Sequence, residues 1–216
     1  MMRMSADIKN KLCFILPPIV VKYTGVLRQN IRFARAKKRL QGCTKLHLGC
    51  GGNLFPGWHN IDIDGPKDVI KLDLSRPLPV ASGSVRFMFS EHFIEHLTLF
   101  QGRRFLNECC RILAPQGVLR ISTPSLQAGF EAYKEKRIKG MEYRGWSPAT
   151  PCQMVNEAMR LWGHQFVYDT EELVGLLKEC GFSTVAAVDW HLSQYPELCG
   201  LESRPYHGDI ILEAQK

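Results

Sequence analysis

Between Lys45 and Asp64 the chain reads KLHLGCGGNLFPGWHNIDID, and few folds accommodate that order of residues. Lys45 to Leu48 has the length and apolar content of a short buried strand. Gly49, Cys50, Gly51 and Gly52 follow at once. A second short strand fits Trp58 to Ile63, with acids at Asp62 and Asp64. Strand, glycine turn, strand, acid is the order by which an α/β sheet holds a nucleoside. The glycines let backbone come close to a ligand, and the acid accepts hydrogen bonds from ribose hydroxyls.

The rest of the chain repeats the theme. Further strands are predicted over Val69–Leu74, Val85–Ser90, Val118–Ser122, Phe182–Asp189 and Asp209–Ala214. A helical turn is predicted over Glu91–His96. The amphipathic pattern of Leu99–Leu113 predicts a helix with Phe105, Leu106, Cys109, Ile112 and Leu113 on its apolar side, ended by Pro115-Gln116-Gly117. Shorter helices fit Leu126–Arg137 and Gln153–Trp162. Another opens at Thr170, with Asp169 or Thr170 as cap, and closes at Gly181. Helical crossovers imply a mostly parallel sheet, and the two last strands, joined without a helix, imply one antiparallel strand near the edge. Ligands in such sheets bind outside the carboxyl ends of the strands. The glycine turn, Asp62, Asp73 and Ser90–His92 all fall at such ends.

Charge divides the chain. Of the 28 Lys and Arg, eleven lie in residues 1–45, together with one of the 21 acids. The remainder is slightly acidic, so the basic character is that of an N-terminal arm (1–42), and no nucleic-acid partner is expected for the body (43–216). Residues 12–21, LCFILPPIVV, are too short to span a bilayer and are broken by Pro17-Pro18. Residues 26–40 predict a helix with Arg28, Arg32, Arg35 and Arg39 on one face and Leu27, Ile31 and Ala34 beside it. Such a helix is a solvated face that docks by its apolar side, or makes peripheral contact with an anionic membrane through residues 1–40. The eight cysteines form no Cys-x-x-Cys pair, which fits reduced thiols in a cytoplasmic protein. Residues 125–165 are rich in aromatic and charged side chains and read as a cap over an acceptor site.

With those residues in hand, the chain resembles the class I S-adenosylmethionine-dependent methyltransferases, above all small bacterial members predicted only as such. LHLGCGG is similar to that family's first motif, NIDID to its second, LDL to its third and SVRFMFSEHFIEHL to its fourth. The resemblance covers residues 43 to 123 well and 164 to 214 loosely. It implies a Rossmann-like α/β fold with a seven-stranded sheet, S-adenosyl-L-methionine as cofactor, and a small-molecule or glycan acceptor. It implies a cofactor site of Leu48, Gly49, Cys50, Gly51, Gly52, Asp62, Ile63, Asp73, Leu74, Ser90 and Glu91. Gly49 and Gly51 would line the methionine part, Asp62 would bind the ribose, Asp73-Leu74 would face the adenine, and Ser90-Glu91-His92 would border the methyl-transfer pocket. The copy departs from the pattern at His47, where an acid or amide is usual, at Asn53, where a third glycine is usual, and in its short first loop.

Methyl transfer needs an in-line, desolvated approach to the sulfonium, and an alcohol nucleophile also wants a base near its proton. His92, His96 and His164 are candidates for that base, with His92 and His164 taken as catalytic. No metal ligands are assigned. Two rivals stand beside this reading. One is a protein that keeps the fold and binds S-adenosylmethionine without turnover. The other is a zinc hydrolase using His92-x-x-Glu95-His96, a match to an inverted zinc-peptidase motif. A nicotinamide oxidoreductase is disfavoured, because Leu54 stands where the third fingerprint glycine belongs and the acid comes too early.

Overall fold

The computed structural model describes residues 31–138, 145–205 and 207–216. Its centre is a seven-stranded sheet: β1 (Lys45–Leu48), β2 (His59–Asp62), β3 (Ile70–Lys71), β4 (Val85–Glu91), β5 (Leu113–Thr123), β6 (Thr184–Ala187) and β7 (Ile210–Gln215). The order across the sheet is β3-β2-β1-β4-β5-β7-β6. The first five strands run parallel, and β7 lies antiparallel between β5 and the edge strand β6. This is the α/β sheet anticipated from the sequence, with its antiparallel strand one place in from the edge.

Strand ends moved where local chemistry differs from pattern. β3 keeps two residues of the six expected, because Asp73 turns the chain by accepting from the Ser75 amide at 3.0 Å. β5 begins at Leu113, directly after the helix, since Leu113 pairs with Val85 before a bulge.

The helices are α1 (residues 31–39), α2 (Leu99–Ile112), α3 (Leu126–Lys134), α4 (Pro151–Arg160) and α5 (Thr170–Glu179). Of these, α1, α2 and α5 pack on one face of the sheet, and α3 packs with α4. Thr98 and Gln101 form a reciprocal cap that starts α2, and Asp169 Oδ1 accepts the Glu172 amide at 2.8 Å to start α5. Phe105, Leu106, Cys109 and Ile112 of α2 and Leu173, Leu176 and Leu177 of α5 pack on Leu46, Leu48, Ile61, Met88, Leu119, Ile121 and Leu212. Each such fully buried side chain contributes about 1.5–3 kcal/mol. α1 docks through Ala36 and Leu40, and Ile31 and Ala34 are exposed, so the apolar stripe expected to dock it is not the one used. Arg39 donates to the carbonyls of Asp68 and Val69. The expected basic and apolar segment before residue 31 lies outside the described residues. No helix among the described residues is long and apolar enough to cross a membrane.

The second face is covered by loops. Phe55 stacks on His47, and Leu198 packs with Phe87 and Val118. Along this face runs a strap from Asp189 to Arg204. Arg120 of β5, fully buried, holds it: its Nε donates to Glu202 at 2.5 Å, and its guanidinium also reaches the carbonyls of Asp189 and Leu192 and the carboxylate of Glu213.

Candidate active site

Between β1 and β4 the strand order reverses, and the carboxyl ends of β1, β2 and β4 open onto one crevice. Gly49 and Gly51 sit there with φ of +73° and +52°, a region that side-chain-bearing residues rarely enter. Their surroundings differ. A Cβ on Gly49 would stand 2.5 Å from the Phe93 ring, so that glycine makes room for packing. At Gly51 and Gly52 a Cβ would meet nothing within 4 Å. The open backbone of the turn is therefore at Gly51 and Gly52. Asp62 Oδ2 accepts the Gly51 amide at 2.8 Å and Oδ1 accepts the Asp64 amide at 3.2 Å. Each oxygen keeps a lone pair for a further donor. Ile63, next along, is an apolar side chain left 69% exposed by the described residues.

Other expected cofactor residues are placed differently. The side chains of Leu48 and Leu74 are in the core, so only their backbone can face a ligand. Cys50 is buried, and burial, helped by Asp62, pushes its thiol up to about 12. Asp73 accepts from the Ser75 hydroxyl at 2.6 Å and pairs with Arg76 at 3.1 Å. Ser90 is fully buried with an unpartnered hydroxyl. Glu91 spends its carboxylate on the strap, accepting from the Ser203 amide and hydroxyl and the Arg204 amide at 2.8, 2.6 and 3.0 Å. His47 is buried beneath Phe55 and donates from Nδ1 to Asn60 Oδ1 at 3.2 Å; burial lowers its pKa to about 4. It is part of the packing that holds loop 53–58, with Asn60 bonding Phe55 on both its N–H and C=O.

Beyond the end of β4 lies a cavity of about 270 Å³. Its walls include His92, Glu95, His96, Trp146, Trp162 and His164, with Arg204 and Asp209 at one side. His92 has a left-handed backbone (φ 48°), a strained conformation for a residue with a side chain. Its Nε2 lies 3.3 Å from Asp209 Oδ2, and its Nδ1 lies 3.6 Å from Glu95 Oε1. Burial opposes a charge on the ring, but Asp209 and Glu95 outweigh it and hold the pKa above the usual histidine value. Glu95 has no exposed surface, and burial raises its pKa.

His92 and His96 do not share a helix face. The helical turn is a short 3-10 turn over Ile94–His96, and His92 precedes it. The ring of His96 instead meets that of His164, centroids 5.0 Å apart. His164 follows α4 after a reversal of the chain at Trp162 (φ 59°) and Gly163 (φ 84°). Its Nδ1 donates to the Ala158 carbonyl at 2.8 Å, and burial lowers its pKa to about 4.

Asp209 escaped the sequence reading. It precedes β7, and because β7 is antiparallel its amino end lies beside the carboxyl end of β5, with Ile210 opposite Thr123. An acid before an antiparallel inner strand is the signal that could have found it.

A family model described as a methyltransferase domain matches residues 58–121. Two curated proteins from strains of Mycobacterium tuberculosis, each named a probable S-adenosylmethionine-dependent methyltransferase, are 30% identical over 148 residues, 68% of this chain. The chain spans 43% of the length of those relatives. A solved S-adenosylmethionine-dependent methyltransferase from Archaeoglobus fulgidus covers 98% of this chain, and 100% of its own length, at 16% identity and a TM-score of 0.51; it shares the fold.

Proposed function

This chain belongs to the class I S-adenosylmethionine-dependent methyltransferases, and from that premise we propose that it methylates a hydroxyl of a sugar or glycan precursor seated in the cavity beyond β4. The observation that carries the proposal is that the open turn at Gly51 and Gly52, with Asp62, follows β1 and β2, while the cavity walled by Trp146, Trp162 and the histidines begins at His92, directly after the neighbouring β4.

The residues at the strand ends fit the cofactor. Gly51 and Gly52 leave open space over their backbone, Asp62 has lone pairs for ribose hydroxyls, and exposed Ile63 offers an apolar surface for the adenine. Ser90, buried with an unpartnered hydroxyl, adds a donor beside the same edge. The cofactor supplies a methyl group on a sulfonium, which is a good leaving group. The chain supplies position and a dry environment.

His92 is the residue that would take the acceptor's proton. Its Nε2 faces Asp209, and its Nδ1 lies 3.6 Å from Glu95 Oε1 on the cavity wall. Asp209 is then a positioning residue, fixing the tautomer and the ring. His164 presents Nε2 from the opposite wall, because Nδ1 is engaged by Ala158. Two tryptophans packed edge to face beside histidines on the cavity wall suit a sugar ring, which has apolar C–H faces and a polar edge. Residues 125–165 supply both tryptophans and His164, which supports their role as a cap.

Calorimetric titration with S-adenosylmethionine and with its demethylated product tests the cofactor site; both bind if the proposal holds, and no heat with either refutes it. The acceptor class is tested by methyl transfer from labelled cofactor to a panel of nucleotide-linked and lipid-linked sugars. Label on none of them, with cofactor binding intact, removes the sugar assignment.

A further inference from the structure

The cavity contains an arrangement that methyl transfer alone does not require. One atom each from Glu95, His96 and His164 lies within 4.8 Å of the others. We propose that these three side chains bind a divalent transition-metal ion of the zinc type, with an open coordination position facing the cavity.

Four observations carry this. First, Glu95 has no exposed surface; its Oε2 accepts from the Thr123 hydroxyl at 3.0 Å, while its Oε1 makes no hydrogen bond and has His92 Nδ1 3.6 Å away, beyond hydrogen-bond distance. A buried carboxylate with an orphan oxygen is costly unless a cation meets it. Second, His164 Nδ1 donates to the Ala158 carbonyl, and that bond fixes the tautomer with the Nε2 lone pair outward. A backbone carbonyl behind an imidazole is the usual support of a metal-binding histidine. Third, the two ligand-bearing segments are locked to each other. The amides of Gln165 and Phe166 both donate to the Glu95 carbonyl, at 2.7 and 3.2 Å. Fourth, the chain holds Trp162, a residue with a side chain, in the left-handed region just before Gly163 to bring His164 back to this spot. Such strain marks a position the fold holds for a purpose.

Two imidazoles and one carboxylate select zinc and its neighbours over magnesium or calcium. Zinc with bonds of about 2.0–2.2 Å holds its ligands roughly 3.3–3.6 Å apart, so the three atoms must close by about an ångström, within reach of side-chain rotation. Three protein ligands leave a fourth position, as in catalytic rather than structural zinc sites. The ligand it would take is an oxygen of the acceptor. That role rests on the methyltransferase reading; binding of the ion does not. The set also differs from the His92-x-x-Glu95-His96 pattern in the sequence, since His92 is turned to Asp209 and the third ligand comes from the cap.

The full chain, stripped with a chelator, is titrated with Zn²⁺ by calorimetry and with Co²⁺ by visible absorption. One ion binds per chain, and bound Co²⁺ gives the intense bands of a low-coordinate site. Binding falls by roughly 100-fold in His164→Ala and in Glu95→Gln, the latter keeping the side chain's shape. Cys152→Ser, which removes an exposed thiol from α4, leaves binding unchanged. Far-ultraviolet circular dichroism checks that each variant is folded. No binding by the parent chain overturns the proposal, and so does equal binding by folded His164→Ala. S-adenosylmethionine titration of the same samples separates the two readings. Cofactor heat without Zn²⁺ heat refutes the metal site alone, and the reverse refutes the cofactor site alone.

Discussion

Replacing Arg120 with methionine should do more damage than any exposed charge change, because of what the guanidinium holds. Arg120 is fully buried, and Glu202 and Glu213 are each only 6% exposed. The substitution keeps the stem's apolar volume but strands two buried carboxylates and the carbonyls of Asp189 and Leu192. Breaking a buried pair by removing one partner costs about 3–5 kcal/mol. With a urea m-value of about 2 kcal/mol/M, the unfolding midpoint should fall by roughly 1.5–2.5 M. The strap should loosen first, so amide exchange over residues 189–204 should accelerate more than exchange in β4 or α2. A triple variant, Arg120→Met with Glu202→Leu and Glu213→Leu, removes all three charges and should recover most of the loss. Urea titration with hydrogen exchange by mass spectrometry reads both effects. A loss below about 1 kcal/mol for the single variant, or no recovery in the triple, would refute the claim that this ion cluster pins the strap.

Three further outcomes are expected. Asp62→Ala should weaken S-adenosylmethionine binding by about 10- to 100-fold, since a charged acceptor hydrogen bond is worth about 1.5–3 kcal/mol, whereas Asp64→Ala, an exposed partner of Lys71, should change it little; equal losses in calorimetry would contradict the assignment. Gly49→Ala should lower the melting temperature by several degrees, because the new Cβ meets the Phe93 ring at 2.5 Å on a backbone with φ of +73°; an unchanged value would show that the turn relaxes freely. His47 has a folded pKa lowered to about 4 from an ordinary 6.5, so between those values the unfolded chain binds the extra proton and stability falls as pH falls. His47→Phe should flatten that part of the stability curve, and an identical slope in both proteins would argue against a neutral buried ring.

Much of the site was legible in the chain because its parts are local. Gly49 to Gly52 and Asp62 sit a few residues from short apolar runs, and a strand that ends in glycine or acid announces its own end. The roles of single side chains were less legible. Glu91 looked like a pocket residue and instead anchors Ser203 and Arg204, a partner more than a hundred residues away. His47 looked like a departure from the family's first motif and is a packed ring under Phe55. Gly49 looked like a ligand contact and makes room for Phe93. Each of these depends on which face of a strand meets which loop, and periodicity does not say what covers a face.

The sequence by itself determined the sheet, its crossovers and the strand ends at which the glycine turn and Asp62 fall. Those follow from residue spacing, turn chemistry and the right-handedness of parallel crossovers, all of which act over short stretches of chain. Only the tertiary structure decided that Asp209 stands behind His92, that His164 folds back onto Glu95 and His96, and that Arg120 ties down the strap. These meetings join residues up to 117 positions apart. They exist because β7 runs antiparallel and because the turn after α4 reverses, and neither direction is written into the residues that meet.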